Sequence, residues 1–171
     1  MLIRISDKHI KDGQLDKEAL ATLGSDIVEF EGGKITFKND VKFMCCNSLT
    51  SVSGATFNRG VNFEYCHSLT SVSDTVFNNI VDFSWCDSLA SLDGVTFNDD
   101  VDFWLCASLA SVAGAVFNDK VKFGRCHSLK SVADATFNDF VDFYYCKLLT
   151  SVSGATFKKG FKAKHCDNLK Q

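Results

Sequence analysis

Apolar residues return along this chain at fixed places of a twenty-residue frame. In the coil that opens at Val61 they stand at Val61, Phe63, Cys66, Leu69, Val72 and Phe77, and similar residues fill the same columns in nearly every other copy. One column never slips: Cys46, Cys66, Cys86, Cys106, Cys126, Cys146 and Cys166. A fixed period without insertions predicts stacked coils, a solenoid in which each coil packs only on its neighbours. The step of two from Val61 to Phe63 is strand spacing, because alternate side chains of a strand share a face. The later steps of three leave no room for a helix of normal length. The rest of each coil is therefore expected to be extended or tight-turn backbone with a little 3₁₀ structure. Gly54, Gly94, Gly114 and Gly154, with Asp74 and Asp134 in the same column, mark one corner, and Asn58, Asn78, Asn98, Asn118 and Asn138 mark a second. Stacked at about 4.8 Å, such coils build one parallel sheet spanning roughly 30 Å, with ridges of Phe, Leu and Val running through the core.

Residues 1–34 break the frame and read as an N-terminal cap, followed by a repeat solenoid over 35–171. Leu2 to Ile5 predicts a strand, Leu15, Ala19, Leu20 and Leu23 lie near one helical face, and Asp26 to Phe30 predicts a further strand. At the other end Phe161 and Ala163 replace the usual Val and Phe, and lysines crowd in. These either discourage edge pairing or mark an uncapped end that docks on a partner or a second copy.

The phrase V-x-F-x-x-C-x-S-L-x-S-V resembles the leucine-rich-repeat consensus L-x-L-x-x-N/C-x-L. The likeness covers about residues 35 to 171, and the period is similar to the short, twenty-residue bacterial class, here with cysteine-type spacing between Cys66 and Leu69. It implies a right-handed, mainly β solenoid whose buried cysteines tie off backbone carbonyls along the stack. It also implies a protein-recognition role of the kind found in effectors delivered into host cells. The chain departs from the family in having Phe where Leu is usual, no proline, and no attached catalytic domain, so no enzyme activity carries over. A parallel β-helix with three short sides per coil is the alternative architecture.

Charge adds a polarity along the body. The net charge is −3, which argues against a general nucleic-acid or membrane binder. Between Gly60 and Asp119 there is no Lys or Arg, while Glu64, Asp74, Asp82, Asp87, Asp93, Asp99, Asp100, Asp102 and Asp119 fall in that stretch. The tail reverses the sign with Lys158, Lys159, Lys162, Lys164 and Lys170. No apolar run approaches the ~18 residues of a membrane span, and Arg4, Asp7 and Lys8 stand where a signal peptide would be apolar. The expectation is a protein that is cytoplasmic where it is made, with export to a host cell compatible with the effector resemblance.

The ladder cysteines read as buried, reduced thiols. Stacked Cβ atoms about 4.8 Å apart exceed the roughly 3.5–4.5 Å a disulfide wants, and one ligand per coil in a line does not converge on zinc. Cys45 lies outside the ladder and is expected to face solvent with no base beside it. His67 and His127 are three coils, roughly 14 Å, apart and cannot share a metal. Asp82 and Asp102 stack on adjacent coils, where their carboxylates approach the spacing of a glycosidase pair, but no substrate pocket is legible. Neither a cofactor, a metal nor a catalytic residue is assigned.

Three columns vary from coil to coil while the rest hardly change. They run Lys42, Asn62, Asp82, Asp102, Lys122, Asp142, Lys162; then Met44, Glu64, Ser84, Trp104, Gly124, Tyr144, Lys164; then Cys45, Tyr65, Trp85, Leu105, Arg125, Tyr145, His165. Both tryptophans and all three tyrosines of the chain lie in the last two. Aromatic residues and Arg are enriched at interface hot spots, so this outward strand face is expected to bind a protein partner. The candidate residues are Tyr65, Asp82, Trp85, Asp102, Trp104, Arg125, Asp142, Tyr144 and Tyr145. The aspartates would steer a basic region of the partner, their stacking itself hinting at a cation from outside. Carbohydrate binding, an acidic decoy of a nucleic-acid-binding protein and a homo-oligomer built through the C-terminal end are the competing readings.

Overall fold

The computed structural model describes residues 1–169 and forms a β-solenoid with almost no helix; Lys170 lies outside the described residues. After the first coil, whose strands Lys34–Phe37 and Asp40–Lys42 are longer, each coil contributes two strands of only two residues, such as Val61–Asn62 and Val76–Phe77. Copies stack in parallel and in strict register, Val81 between Val61 and Val101, and Phe97 between Phe77 and Phe117. The coils therefore build two sheets, seven strands in each, rather than the single sheet expected, and one N-terminal strand brings each sheet to eight. A third side is marked by parallel bridges at Ser51–Ser71, Ser91–Ser111 and Ser131–Ser151. This is the three-sided coil of the β-helix alternative. Six full turns separate Phe37 from Phe157.

Tight turns supply the corners. In one coil the N–H of Cys66 bonds to Phe63 O (2.9 Å), that of Leu69 to Cys66 O (3.1 Å) and that of Thr75 to Val72 O (3.2 Å). Between corners the chain is extended just long enough to present two inward residues on each sheet side, Val61 and Phe63 on one and Thr75 and Phe77 on the next. The phenylalanines of the two repeating columns from Phe37 to Phe143 project inward from the two sheets and are fully buried, whereas Phe140 lies outside these columns and is exposed. Within a column the rings stack, as Phe83 does on Phe103 at 5.3 Å and 2°; between columns they meet edge to face, as Phe97 meets Phe103 at 5.7 Å and 86°. Both arrangements suit the ring quadrupole and add to simple burial.

All eight cysteines are free, Cys45 exposed and the ladder buried. Each ladder thiol donates back to the coil before it: Cys66 to Phe43 O (3.2 Å), Cys86 to Phe63 O (3.2 Å), Cys106 to Phe83 O (3.1 Å) and Cys126 to Phe103 O (3.1 Å). Phe63 O also accepts its own turn N–H from Cys66, so both lone pairs of a buried carbonyl are used. Burial pushes the thiols up from the ordinary 9.0, to about 11 at Cys46 and about 12 at Cys66, higher still at Cys86 and Cys106, and well above the ordinary value at Cys126.

A second ladder runs outside the Phe sheet. Asn78 Nδ2 donates to Asn58 Oδ1 (3.0 Å), Asn98 to Asn78 (2.9 Å), Asn118 to Asn98 (2.8 Å) and Asn138 to Asn118 (2.6 Å). The next coil carries Lys158 in this column, and Asn138 Oδ1 is buried without a hydrogen-bond partner among the described residues. Lys158→Asn extends the ladder by one rung and is expected to stabilise the protein by about 1 kcal/mol, the worth of satisfying one such acceptor. Urea unfolding at neutral pH checks it, and an unchanged or lower midpoint goes against it.

The N-terminal residues close one end of the stack. Strand Leu2–Arg4 pairs in parallel with Asp40–Lys42 at the edge of the first sheet, and Val28–Glu31 turns back antiparallel on Lys34–Phe37 at the edge of the second. The helix expected after Leu15 is one short turn, Lys17–Ala21, whose N-terminal N–H groups of Glu18 and Ala19 are capped by Asp16 Oδ1 at 2.9 and 3.2 Å. Ile3, Ile5, Leu20 and Val28 are buried over the first coil and continue its core. No helix among the described residues is long and apolar enough to cross a membrane.

Candidate functional site: the variable corner ridge

Only the column of Asn62 belongs to a strand. The columns of Glu64 and Tyr65, expected on the strand face, form instead the two central residues of the turn that follows, so the face is a corner. The third residue of this turn has a left-handed backbone in every copy: φ is +61° at Cys45, +62° at Tyr65, +63° at Trp85, +60° at Leu105, +58° at Arg125, +59° at Tyr145 and +60° at His165. A turn of this kind favours Gly at that position. The corner at Gly54 meets the same demand with Gly54, Asp74, Gly94, Gly114, Asp134 and Gly154. A bulky residue costs about 1–2 kcal/mol in that conformation. An unbroken backbone ladder holds it there, with Tyr65 N–H on Ser84 O (3.0 Å), Trp85 on Trp104 O (2.9 Å) and Leu105 on Gly124 O (2.8 Å).

The aromatic candidates fall into two groups along this ridge. Tyr65 stacks on Trp85 at 5.8 Å, both half-exposed. Further along, Trp104 stacks on Tyr144 at 6.0 Å and 13°, although they are two coils apart. Gly124 makes this possible, since a Cβ there would stand 2.1 Å from Trp104 Cε3. The indole lies across the glycine and reaches the tyrosine beyond it. Arg125 places its guanidinium 5.6 Å from the Trp104 ring and 5.5 Å from that of Tyr145, and Tyr145 is further flanked by Lys147 and His165. Gly124 and His165 were not legible as site residues. The one clue to Gly124 is a glycine in a turn position whose backbone angle does not require it.

The aspartates do a local job. Asp82 Oδ1 accepts the N–H of Ser84 (2.8 Å) and Asp102 Oδ1 that of Trp104 (2.9 Å), just as Asn62 Oδ1 accepts from Glu64 (3.0 Å). These side chains cap the turn, the usual role of Asn and Asp before a bend. The like-charge stacking of Asp82 and Asp102 is eased by contacts within the chain. Asn62 Nδ2 reaches Asp82 Oδ2 at 3.4 Å, and Lys122 Nζ reaches Asp102 Oδ2 at 3.4 Å. Asp142 pairs with Lys162 at 3.8 Å, while its Oδ1 is buried without a hydrogen-bond partner among the described residues. His67, three coils from His127, is bound to Asp87 at 2.7 Å.

The remaining cluster of potential metal ligands, Asp99, Asp100 and Asp119, brings carboxylate oxygens within 4.8 Å of one another. Its oxygens already cap turns: Asp99 Oδ1 accepts from Asp100 N, and Asp100 and Asp119 both accept from Lys120 N. No protein-family model, curated protein or solved structure matches this chain.

Proposed function

We propose that this protein is a non-enzymatic interaction module that binds a protein partner through the variable corner ridge, as an effector or an inhibitor that occupies a surface of its target. The observation that carries this reading is the contrast between the two left-handed corners. One backbone demand is met by Gly and Asp on one side and by Tyr65, Trp85, Leu105, Arg125 and Tyr145 on the other. Strain of this kind concentrates where function retains it. The side chains retained are also of the types that anchor interfaces, and Trp104 and Tyr144 extend the row. The repeat phrase, similar to that of leucine-rich repeats, favours the same role. Glu64, Asp82, Asp87 and Asp102 give one half of the ridge an acidic character suited to steering a basic region of a partner.

The test is affinity capture from the native source with the wild type, a Trp85→Ala/Trp104→Ala variant and a Thr96→Ala control on the second sheet. A partner held by the wild type and the control, and weakened at least about tenfold by the ridge variant, supports the reading. Capture that is indifferent to the ridge variant overturns it.

A further inference from the structure

The ridge changes sign along its length. The coils from Glu64 to Asp102 carry acids, and those from Lys122 to Lys164 carry Lys122, Arg125, Lys147 and Lys164. Strict twenty-residue register means that every column is a straight row with one side chain per coil. When two such ridges face each other in opposite directions, a two-fold axis lying across them sets each column against its own copy in reverse order.

We infer that two copies of this chain pair antiparallel along the ridge, about an axis passing between the coils of Trp104 and Gly124. The inference rests on the reading of the ridge as an interface and names a second copy as an occupant. In this register Glu64 faces Lys164, Asp87 faces Lys147 and Asp102 faces Lys122, each contact occurring twice. Trp85 faces Tyr145, and the two Trp104 indoles, each lying over its own Gly124, meet at the axis. Asp82 faces Asp142, the one like-charged pair among these columns, and each already has Asn62 or Lys162 beside it in its own chain.

Neighbouring registers are worse. A shift of one coil toward the N-terminus sets Asp102 against its own copy and Lys42 against Lys162. A shift the other way sets Arg125 and Lys122 each against their own copies and Asp87 against Asp167. Charge complementarity thus favours this register over its two neighbours, and aromatic anchors lie at its centre.

Glu64 and Lys164 are five coils, about 24 Å, apart within one chain and do not touch there, so coupling between them reports the pairing alone. Sedimentation equilibrium of the full chain over a wide concentration range, at low and at high salt, is expected to show a dimer that loosens as salt rises. Glu64→Lys and Lys164→Glu each set two like-charged contacts in the dimer and are expected to raise the dissociation constant at least about tenfold. The double variant Glu64→Lys/Lys164→Glu is expected to restore it to within about threefold of wild type. Circular dichroism confirms that all three variants are folded. A wild type that stays monomeric throughout, or a double variant no tighter than the singles, overturns the pairing. A monomer that still captures a partner through Trp85 and Trp104 overturns only the self-pairing and leaves the ridge as a heterologous interface. A dimer that captures nothing does the reverse.

Discussion

Phe103→Ala is expected to lower the free energy of unfolding by about 4 kcal/mol, the largest effect of any single substitution considered for this protein. Phe103 is fully buried, stacked between Phe83 at 5.3 Å and Phe123 at 5.2 Å, and meets the edges of Phe97 at 5.7 Å and Phe117 at 6.4 Å. Removing the ring loses its transfer free energy and leaves a cavity that the neighbours cannot close, because each is fixed by its own coil's hydrogen bonds. In a stack where each coil touches only the next, the lost contacts also interrupt the coupling between the two halves. Phe161→Ala, at an end where the ring is 37% exposed, is expected to cost less than about 1.5 kcal/mol. Urea unfolding followed by circular dichroism compares the two. A loss at Phe103 no greater than at Phe161 would remove the ring stack as the main source of core stability.

The second large effect is a loss of stability in alkali. An acid whose pKa is higher in the folded than in the unfolded chain keeps its proton in the fold and releases it on unfolding. Its contribution is complete below the unfolded value, here 9.0, and is lost as pH climbs from there toward the folded value. Burial places Cys66 at about 12, drives Cys86 and Cys106 further up and lifts Cys126 well above the ordinary value, so these inner thiols remain protonated in the fold at pH 10. Each then costs about 1.4 kcal/mol relative to pH 8, and the four together about 6 kcal/mol. Urea midpoints under a reductant at pH 8 and pH 10 measure it. Cys106→Ala removes one titrating group and is expected to reduce the loss by about 1.4 kcal/mol, while also weakening the protein at pH 8 by about 1–2 kcal/mol through the vacated Phe83 carbonyl. A midpoint that is flat between the two pH values, or a loss that Cys106→Ala leaves unchanged, would refute the account.

The solenoid, its period, the buried Phe and Cys columns and the corner at Gly54 were all legible in the sequence. The thiols' bonds to carbonyls of the neighbouring coil were an expectation of the leucine-rich-repeat resemblance, and the spacing of the cysteines by itself gave only that they are buried and reduced. The second sheet was not legible. Thr56–Phe57 and Val61–Asn62 are two residues each, too short to display the alternation by which a strand is recognised. For the same reason the outward columns were placed on a strand when they lie in a turn. The pairing of Asp82 and Asp102 illustrates the limit on the site: their proximity was legible, but the turn N–H groups and Asn62 and Lys122 that settle their charge were not.

By itself the sequence determined that coils of equal length stack in register, because a frame repeated without insertions can bury its apolar columns only against its own copies. It also determined which columns are scaffold and which vary. Tertiary structure alone decided where each coil bends, and with that which variable side chains stand at an edge in a left-handed conformation. It decided that Trp104 crosses Gly124 to reach Tyr144, and that Arg125 settles between Trp104 and Tyr145. Spacing along a chain states which residues share a column; the direction in which a side chain leaves a turn depends on backbone angles that the whole stack imposes.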